Sequence, residues 1–386
     1  MEFGLYLHIP YCRSLCPYCD FVKAPLHRAE PDRFVAAILE EADLALAPAA
    51  AWGRPRTVYL GGGTPTALPA AALDRLLEGL RRRLDLSRAR EFTVEANPDG
   101  LTRETLARLR AAGVNRFSLG VQSLEPGVLR ALGRIHTPER ALEALDLARD
   151  AGFASLSADL MYGVPGETPA GLRGGLAALI ARGVTHVSAY PLQVEAGTPL
   201  ASKAARGVVT PPGDEWVHER YGEIVATLRA AGFRHYEVSN FSRPGFESRH
   251  NEGYWTRRPY LGLGPGAHSF DGRARWCNES SIARYLERVE GGALPRKERE
   301  TLTPALEAEE RVFLALRRSR GLRASAHLQG YPRQTVSEWA RWAERGGAVR
   351  MGPPGRIRPT DKGFLLAHDL AAELLTRARL TSPPAR

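Results

Sequence analysis

The sequence predicts an α/β fold. A curved sheet of six parallel strands, a partial (β/α)6 barrel, is followed by a small C-terminal α+β domain of winged-helix-like pattern. Three observations carry this. Strand and helix patterns alternate between residues 3 and 191, which demands parallel pairing through right-handed crossovers. Runs such as Val58-Tyr59-Leu60 are apolar without a break, as in strands buried on both faces. Three of the four cysteines, Cys12, Cys16 and Cys19, directly follow the first strand pattern. Periodicity alone fits a doubly wound open sheet equally well; the cysteine loop favours the barrel.

In chain order, residues 3–9 form an apolar strand that delivers the cysteine loop from its C-terminal end. A helix over 32–46 places Phe34, Ile38, Leu39 and Leu46 at near-helical spacing, opened by Pro31-Asp32 and closed by Pro48. Strands are expected at 57–61, 91–96, 116–121, 156–161 and 186–191. Helices are expected at 70–84, 103–112, 126–132, 139–151 and 170–182. Gly113, Gly152 and Gly183 each follow a helix as C-terminal caps. Beyond Pro199 come a helix over 214–231 and an extra strand over 235–240. Residues 249–271, dense in Gly, Pro and aromatics, are expected to form an ordered loop. Helices at 307–318 and 335–345, a hairpin 348–351/356–358 turning through Gly352-Pro353-Pro354-Gly355, and a helix at 364–375 complete the chain before a fraying Pro-containing tail. The expected division is 1–240 for the barrel with its cysteine loop, 241–300 for an ordered extension, and 301–380 for the C-terminal domain.

The 386 residues, 44% hydrophobic and 25% charged, read as an ordinary globular protein with ample core. No apolar run reaches the length of a membrane span and no secretory leader is visible, so a cytoplasmic location is expected. The net charge of +10 comes from arginines dispersed among Ala, Leu and Gly. A solvated surface explains that better than a nucleic-acid partner, even though helices before a basic hairpin resemble a winged helix. Three clustered cysteines and a distant Cys277 make a poor disulfide framework, so reduced thiols acting as ligands fit better.

Thiolates suit zinc, copper(I) or iron–sulfur clusters. A structural zinc site wants four ligands, and the fourth would have to be His8, His27 or Cys277. A cubane held by three cysteines keeps one iron open to a small molecule. The C-x3-C-x2-C spacing, with Tyr18 before its last cysteine, resembles the cluster loop of the radical S-adenosylmethionine (SAM) superfamily. That resemblance implies a partial (β/α)6 barrel, a [4Fe-4S] cluster on Cys12, Cys16 and Cys19, and SAM chelated to the open iron and cleaved to a 5′-deoxyadenosyl radical. Gly61-Gly62-Gly63-Thr64-Pro65-Thr66 ends the second strand, where glycines let a ligand's polar head approach the backbone. It resembles the family's glycine motif for the SAM amino group. Glu95, Gln122, Asp159 and Arg134 fall at or near later strand ends. Arg134 can pair with a carboxylate, Glu95 with an ammonium, and Gln122 or Asp159 with ribose hydroxyls. Together with Tyr6 and Tyr18 they resemble the SAM-contacting pattern of the oxygen-independent coproporphyrinogen III oxidase branch.

Two departures separate this chain from the oxidases of that branch. They carry a further cysteine two residues after the trio, where this chain has Phe21, and a longer segment ahead of the loop. A third feature, His250-Asn251-Glu252-Gly253-Tyr254-Trp255, matches the H-N-x-x-Y-W motif that the resemblance assigns to HemW-type haem chaperones. Imidazole is a good axial ligand for haem iron, and His250 is the candidate, with His268 second and Arg249, Arg257 and Arg258 as propionate partners. The expectation is a haem chaperone binding haem, a [4Fe-4S] cluster and SAM, and handing haem to a respiratory apoprotein. Oxidative decarboxylation of coproporphyrinogen III is the alternative, so enzyme activity stays open. Peripheral membrane association and a homodimer are compatible with the chain.

Overall fold

The computed structural model describes residues 2–47, 52–353 and 355–381; the predicted turn residue Pro354, the helix-closing Pro48 and the end of the tail, 382–386, lie outside them. Six parallel strands are neighbours in chain order: β1 (Glu2–Ile9), β2 (Arg54–Gly62), β3 (Glu91–Ala96), β4 (Arg116–Gln122), β5 (Ser155–Tyr162) and β6 (His186–Pro191). β1 and β6 do not pair with each other, so the barrel stays open. The helices between them are α1 (Pro31–Leu46), α2 (Ala70–Arg83), α3 (Arg103–Ala111), α4 (Pro126–Ala131), α5 (Pro138–Asp150) and α6 (Pro169–Ala181). Thr102, Thr137 and Thr168 cap three of them by accepting an amide from the first turn. Gly113, Gly152 and Gly183 take left-handed φ angles of 92°, 84° and 74° at helix ends, as a C-terminal cap requires.

Period-two alternation makes two chemically different faces. Phe3, Leu5, Leu7 and Ile9 of β1 are fully buried in the core beneath the helices, with Val58 and Leu60 of β2 and Phe34, Ile38 and Leu76 of the helices. The inward face carries Gly4, Tyr6 and His8 on β1, then Thr57 and Tyr59, Glu91 and Glu95, Arg116 and Ser118, Ser157 and Asp159, and His186 and Ser188. A barrel so lined encloses polar chemistry rather than a dry core.

Residues 249–271 are not a loop. After α7 (Pro199–Ala205) and α8 (Asp214–Ala230), they form α9 (Arg249–Trp255) and two strands, Tyr260–Leu263 and His268–Phe270. Tyr260–Leu263 pairs in parallel with β1, Gly4 opposite Tyr260 and Leu7 opposite Leu263. Its glycine is a packing requirement: a Cβ on Gly262 would stand 2.1 Å from the His268 carbonyl. Strands Ala274–Asn278 and Arg296–Thr301 continue this edge, and the hairpin Arg234–Glu237/Asn240–Ser242 continues the other beyond β6, giving twelve strands in one sheet among the described residues. The strand expected at 235–240 is thus two short strands around a turn.

The C-terminal residues have their own core, built from Val312, Leu316, Trp339, Ile357 and Leu374. The predicted hairpin is present as Val349–Gly352 against Arg356–Pro359. Polar contacts tie this unit to the barrel: Arg229 with Asp361 at 2.9 Å, and Arg318 with Glu252 of α9 at 3.5 Å. Among the described residues no helix is long and apolar enough to cross a membrane.

Candidate functional site

The barrel encloses a cavity of about 510 Å³, in the range for a small-molecule site. One end is the cysteine loop, with Cys12, Cys16, Tyr18 and Cys19 on its wall. The middle is lined by Tyr59, Gly62, Gly63, Glu95, Gln122 and Asp159, and the far end reaches Ser248 and Asn251 at α9. The structure therefore gathers residues that the sequence scatters over more than two hundred positions.

Cys12 ends a two-residue ladder, Tyr11–Cys12 with Ala24–Pro25, that closes the base of the loop. Burial pushes the Cys12 and Cys19 thiols above their ordinary values, and metal coordination reverses that by taking the thiolate. Thr64 donates to Cys12 Sγ at 3.7 Å and accepts from Asn97 Nδ2 at 2.8 Å. Arg134 Nη2 donates to Asn97 Oδ1 at 2.5 Å and Nη1 to Cys16 Sγ at 3.5 Å. A Thr64–Asn97–Arg134 chain thus braces two of the three cysteines. Asn97 escaped notice in the sequence because it lies just past the end of β3, which closes at Ala96.

Among the described residues, no three His, Cys, Asp or Glu side chains form a group that could hold a single metal ion. A cubane asks for something different, since its three thiolates serve three separate irons. Three thiols on one cavity wall meet that need. Arg134 Nε is buried with no acceptor among the described residues, which fits a guanidinium awaiting a ligand's carboxylate or a cluster sulfide.

Glycine is required at the wall. A Cβ on Gly63 would lie 2.8 Å from the Pro10 carbonyl carbon and 2.9 Å from Cys12 Sγ. Gly63→Ala is therefore expected to displace Cys12 and lower iron content per chain, while Gly174→Ala, whose Cβ would meet nothing within 4 Å, leaves iron unchanged; iron and sulfide assays decide this.

Glu95 Oε1 accepts from Tyr59 OH at 2.5 Å and Oε2 from the Gly62 amide at 3.3 Å. Burial raises its carboxyl to about 7, against the Tyr59 hydrogen bond and with help from nearby Asp159. Asp159 is also pushed up by burial, and Ser118 Oγ lies 3.2 Å from both its oxygens. Gln122 takes a left-handed φ of 64° where the β4–β5 register breaks. That strain in a non-glycine residue at a cavity wall is a mark of functional sites.

Three predicted residues stand off the cavity. Tyr6 OH bonds His8 Nδ1 at 3.0 Å behind Tyr59, and Thr64 is buried behind Cys12. His250 is only 3% exposed, in α9. Its Nδ1 bonds Thr57 Oγ1 at 2.9 Å and its Nε2 bonds Tyr254 OH at 2.8 Å. Burial holds its pKa down at about 3, so it is neutral. Arg257 is paired with Glu307 and Glu310, whereas His268 is exposed on its strand. The cavity wall includes exposed apolar side chains, Phe21 (63% exposed) and Tyr190 among them.

The profile of the Radical SAM superfamily matches residues 6–174. The chain is 44% identical to the haem chaperone HemW of Mycobacterium tuberculosis over 83% of both chains, and 36% identical to that of Lactococcus lactis over 96% of both. The solved coproporphyrinogen III oxidase HemN of Escherichia coli superposes with a TM-score of 0.83 at 25% identity, over 97% of this chain and 90% of that one. A shared loop, barrel and C-terminal unit over nearly the whole length place this chain in the radical SAM superfamily, in the HemW family of its coproporphyrinogen III oxidase-like branch.

Proposed function

We propose that the protein is a haem chaperone that binds one haem, a [4Fe-4S] cluster on Cys12, Cys16 and Cys19, and SAM, and passes haem to a respiratory apoprotein. The observation that carries this reading is the extended identity to proteins named haem chaperones. Phe21 supports it, because an exposed phenyl ring stands where the oxidases have a further cysteine. When bound, the cluster supplies one-electron chemistry at an open iron. Around it, Arg134 and Glu95 would hold the carboxylate and ammonium of SAM, while Gln122 and Asp159 would hold ribose hydroxyls. Tyr18 and the Gly62-Gly63 backbone would close the walls.

His250 is the proposed haem ligand. In the seated helix both ring nitrogens are engaged, so coordination by either one displaces its hydrogen bond and requires α9 to shift. Neutral imidazole is the form that binds iron, and the low pKa of His250 keeps it in that form. The anaerobically reconstituted chain is expected to take up about one haem, with His250→Ala weakening uptake at least ten-fold, the scale of losing a metal ligand or its partner. Unchanged binding by the variant removes His250 from the role. Coproporphyrinogen III supplied with SAM in the same vessel tests the oxidase reading, which the likeness to HemN keeps in view; formation of protoporphyrinogen IX would overturn the chaperone assignment.

A further inference from the structure

At the floor of the barrel, opposite the cysteine loop, one carboxylate receives the first turn of α9. Glu91, at the start of β3 and 5% exposed, accepts from the Arg249 amide at 2.8 Å, the His250 amide at 2.9 Å and Ser248 Oγ at 3.4 Å. Ser248 is the cap of the same helix, receiving the Asn251 amide at 3.3 Å. Its own amide goes to Tyr236 OH at 3.1 Å, and Tyr236 bonds His186 Nε2 at 2.9 Å. Ser248 and Asn251 face the cavity. His250 faces the other way, packed on Tyr59 with ring centroids 5.0 Å apart and closing over Gly4, where a Cβ would come within 3.3 Å of the imidazole.

A helix of seven residues is too short to be stable alone. The helix containing Gly253 persists because the barrel floor receives it, and Glu91 supplies charge-assisted bonds to its first turn. Further ties include Thr57 to His250 and Arg318 to Glu252.

We propose that Glu91 is a positioning residue for His250: it anchors the first turn of α9, keeps the imidazole sealed in the barrel floor, and by letting go frees that imidazole for haem iron. The inference rests on the reading of His250 as haem ligand and adds the element that controls it. When only the unseated helix binds haem, apparent affinity scales with the unseated fraction. Weakening the anchor therefore raises haem uptake, an effect opposite to that of general damage to the fold.

The test uses full-length, cluster-reconstituted protein, with haem association followed by stopped-flow absorbance and helix anchoring by hydrogen exchange of residues 249–252. Glu91→Ala is expected to speed haem association about ten-fold or more, on the scale of lost charge-assisted hydrogen bonds, and to speed exchange. Glu91→Gln, which keeps one accepting oxygen, is expected to fall between. Thr57→Val loosens the opposite side of the imidazole and is expected to act in the same direction, which keeps the test decisive if Glu91→Ala folds poorly. Folded variants with wild-type association and exchange would overturn the proposal, as would faster exchange with slower haem uptake. A wild-type chain that takes up no haem would overturn the haem reading itself, and exchange would still report whether Glu91 anchors the helix.

Discussion

Serine in place of Cys12, Cys16 or Cys19 is expected to strip the iron–sulfur cluster from the protein, reducing iron and sulfide per chain to background and abolishing the visible charge-transfer band. The reasoning is chemical. A soft thiolate suits cluster iron and a hydroxyl does not, and with three cysteine ligands no spare thiol stands by. Cys277 cannot substitute, because it lies on the outer strand Ala274–Asn278 with its thiol 3.7 Å from the Lys297 carbonyl. Cys277→Ser is the control and should keep full iron. Cys12 should be the most damaging of the three, since it is buried and braced by Thr64, so its loss also opens the loop base. Thr64→Val separates ligand from brace: the cluster should assemble, with a shifted reduction potential from the lost hydrogen bond to sulfur. A Cys16→Ser protein with wild-type iron and sulfide would remove the trio from the ligand role.

What was legible in the sequence follows from the range of the forces involved. The six barrel strands announce themselves because alternation, caps and helix-ending glycines are local signals, and each strand pairs with the next in the chain. The cysteine loop is legible because three thiols so close in a cysteine-poor chain need a reason. Glu95, Gln122 and Asp159 follow from their places near strand ends, and the structure sets all three on one cavity wall. The misread stretch lacked such signals. Tyr260–Leu263 finds its partner in β1, more than 250 residues earlier, and no local pattern reports that. α9 is too short to show a period, so its histidine looked like a loop residue. Glu91 opens a strand, and no local signal sets it apart; only the fold shows three donors converging on it. The Arg134–Cys16 contact spans 118 positions and is equally invisible to local reading. Tyr6 and Thr64 rest on resemblance alone, and both stand one layer behind the wall.

SAM affinity is expected to rise with pH from about 5 to about 7 and then level off, because Glu95 must lose a proton to face an ammonium. Its carboxyl titrates near 7 in the ligand-free cavity, raised first by burial. Below that value each bound cation must displace a proton, so Kd should grow about ten-fold for each pH unit of acidification. Titrations across this range, read by calorimetry on cluster-loaded protein, give the slope directly. Glu95→Gln should flatten it and weaken binding at pH 7.5 by roughly ten- to hundred-fold, the scale of a lost hydrogen bond to a charged group. The same variant has an opposite effect on stability. A carboxyl whose folded pKa lies above the unfolded 4.5 favours folding only while protonated; that contribution is complete below the unfolded value and is lost as pH rises through the folded one. Glu95→Gln should therefore melt higher than wild type at pH 8 and alike at pH 4, in the absence of SAM. Tyr59 supplies the finer test. Its hydroxyl donates to Glu95 at 2.5 Å and pulls the carboxyl pKa down, so Tyr59→Phe should move the midpoint of the affinity curve to higher pH. A wild-type affinity that does not change between pH 5 and 7 would remove Glu95 from the ammonium site, and a Tyr59→Phe midpoint that stays in place would show that the short hydrogen bond does not tune it.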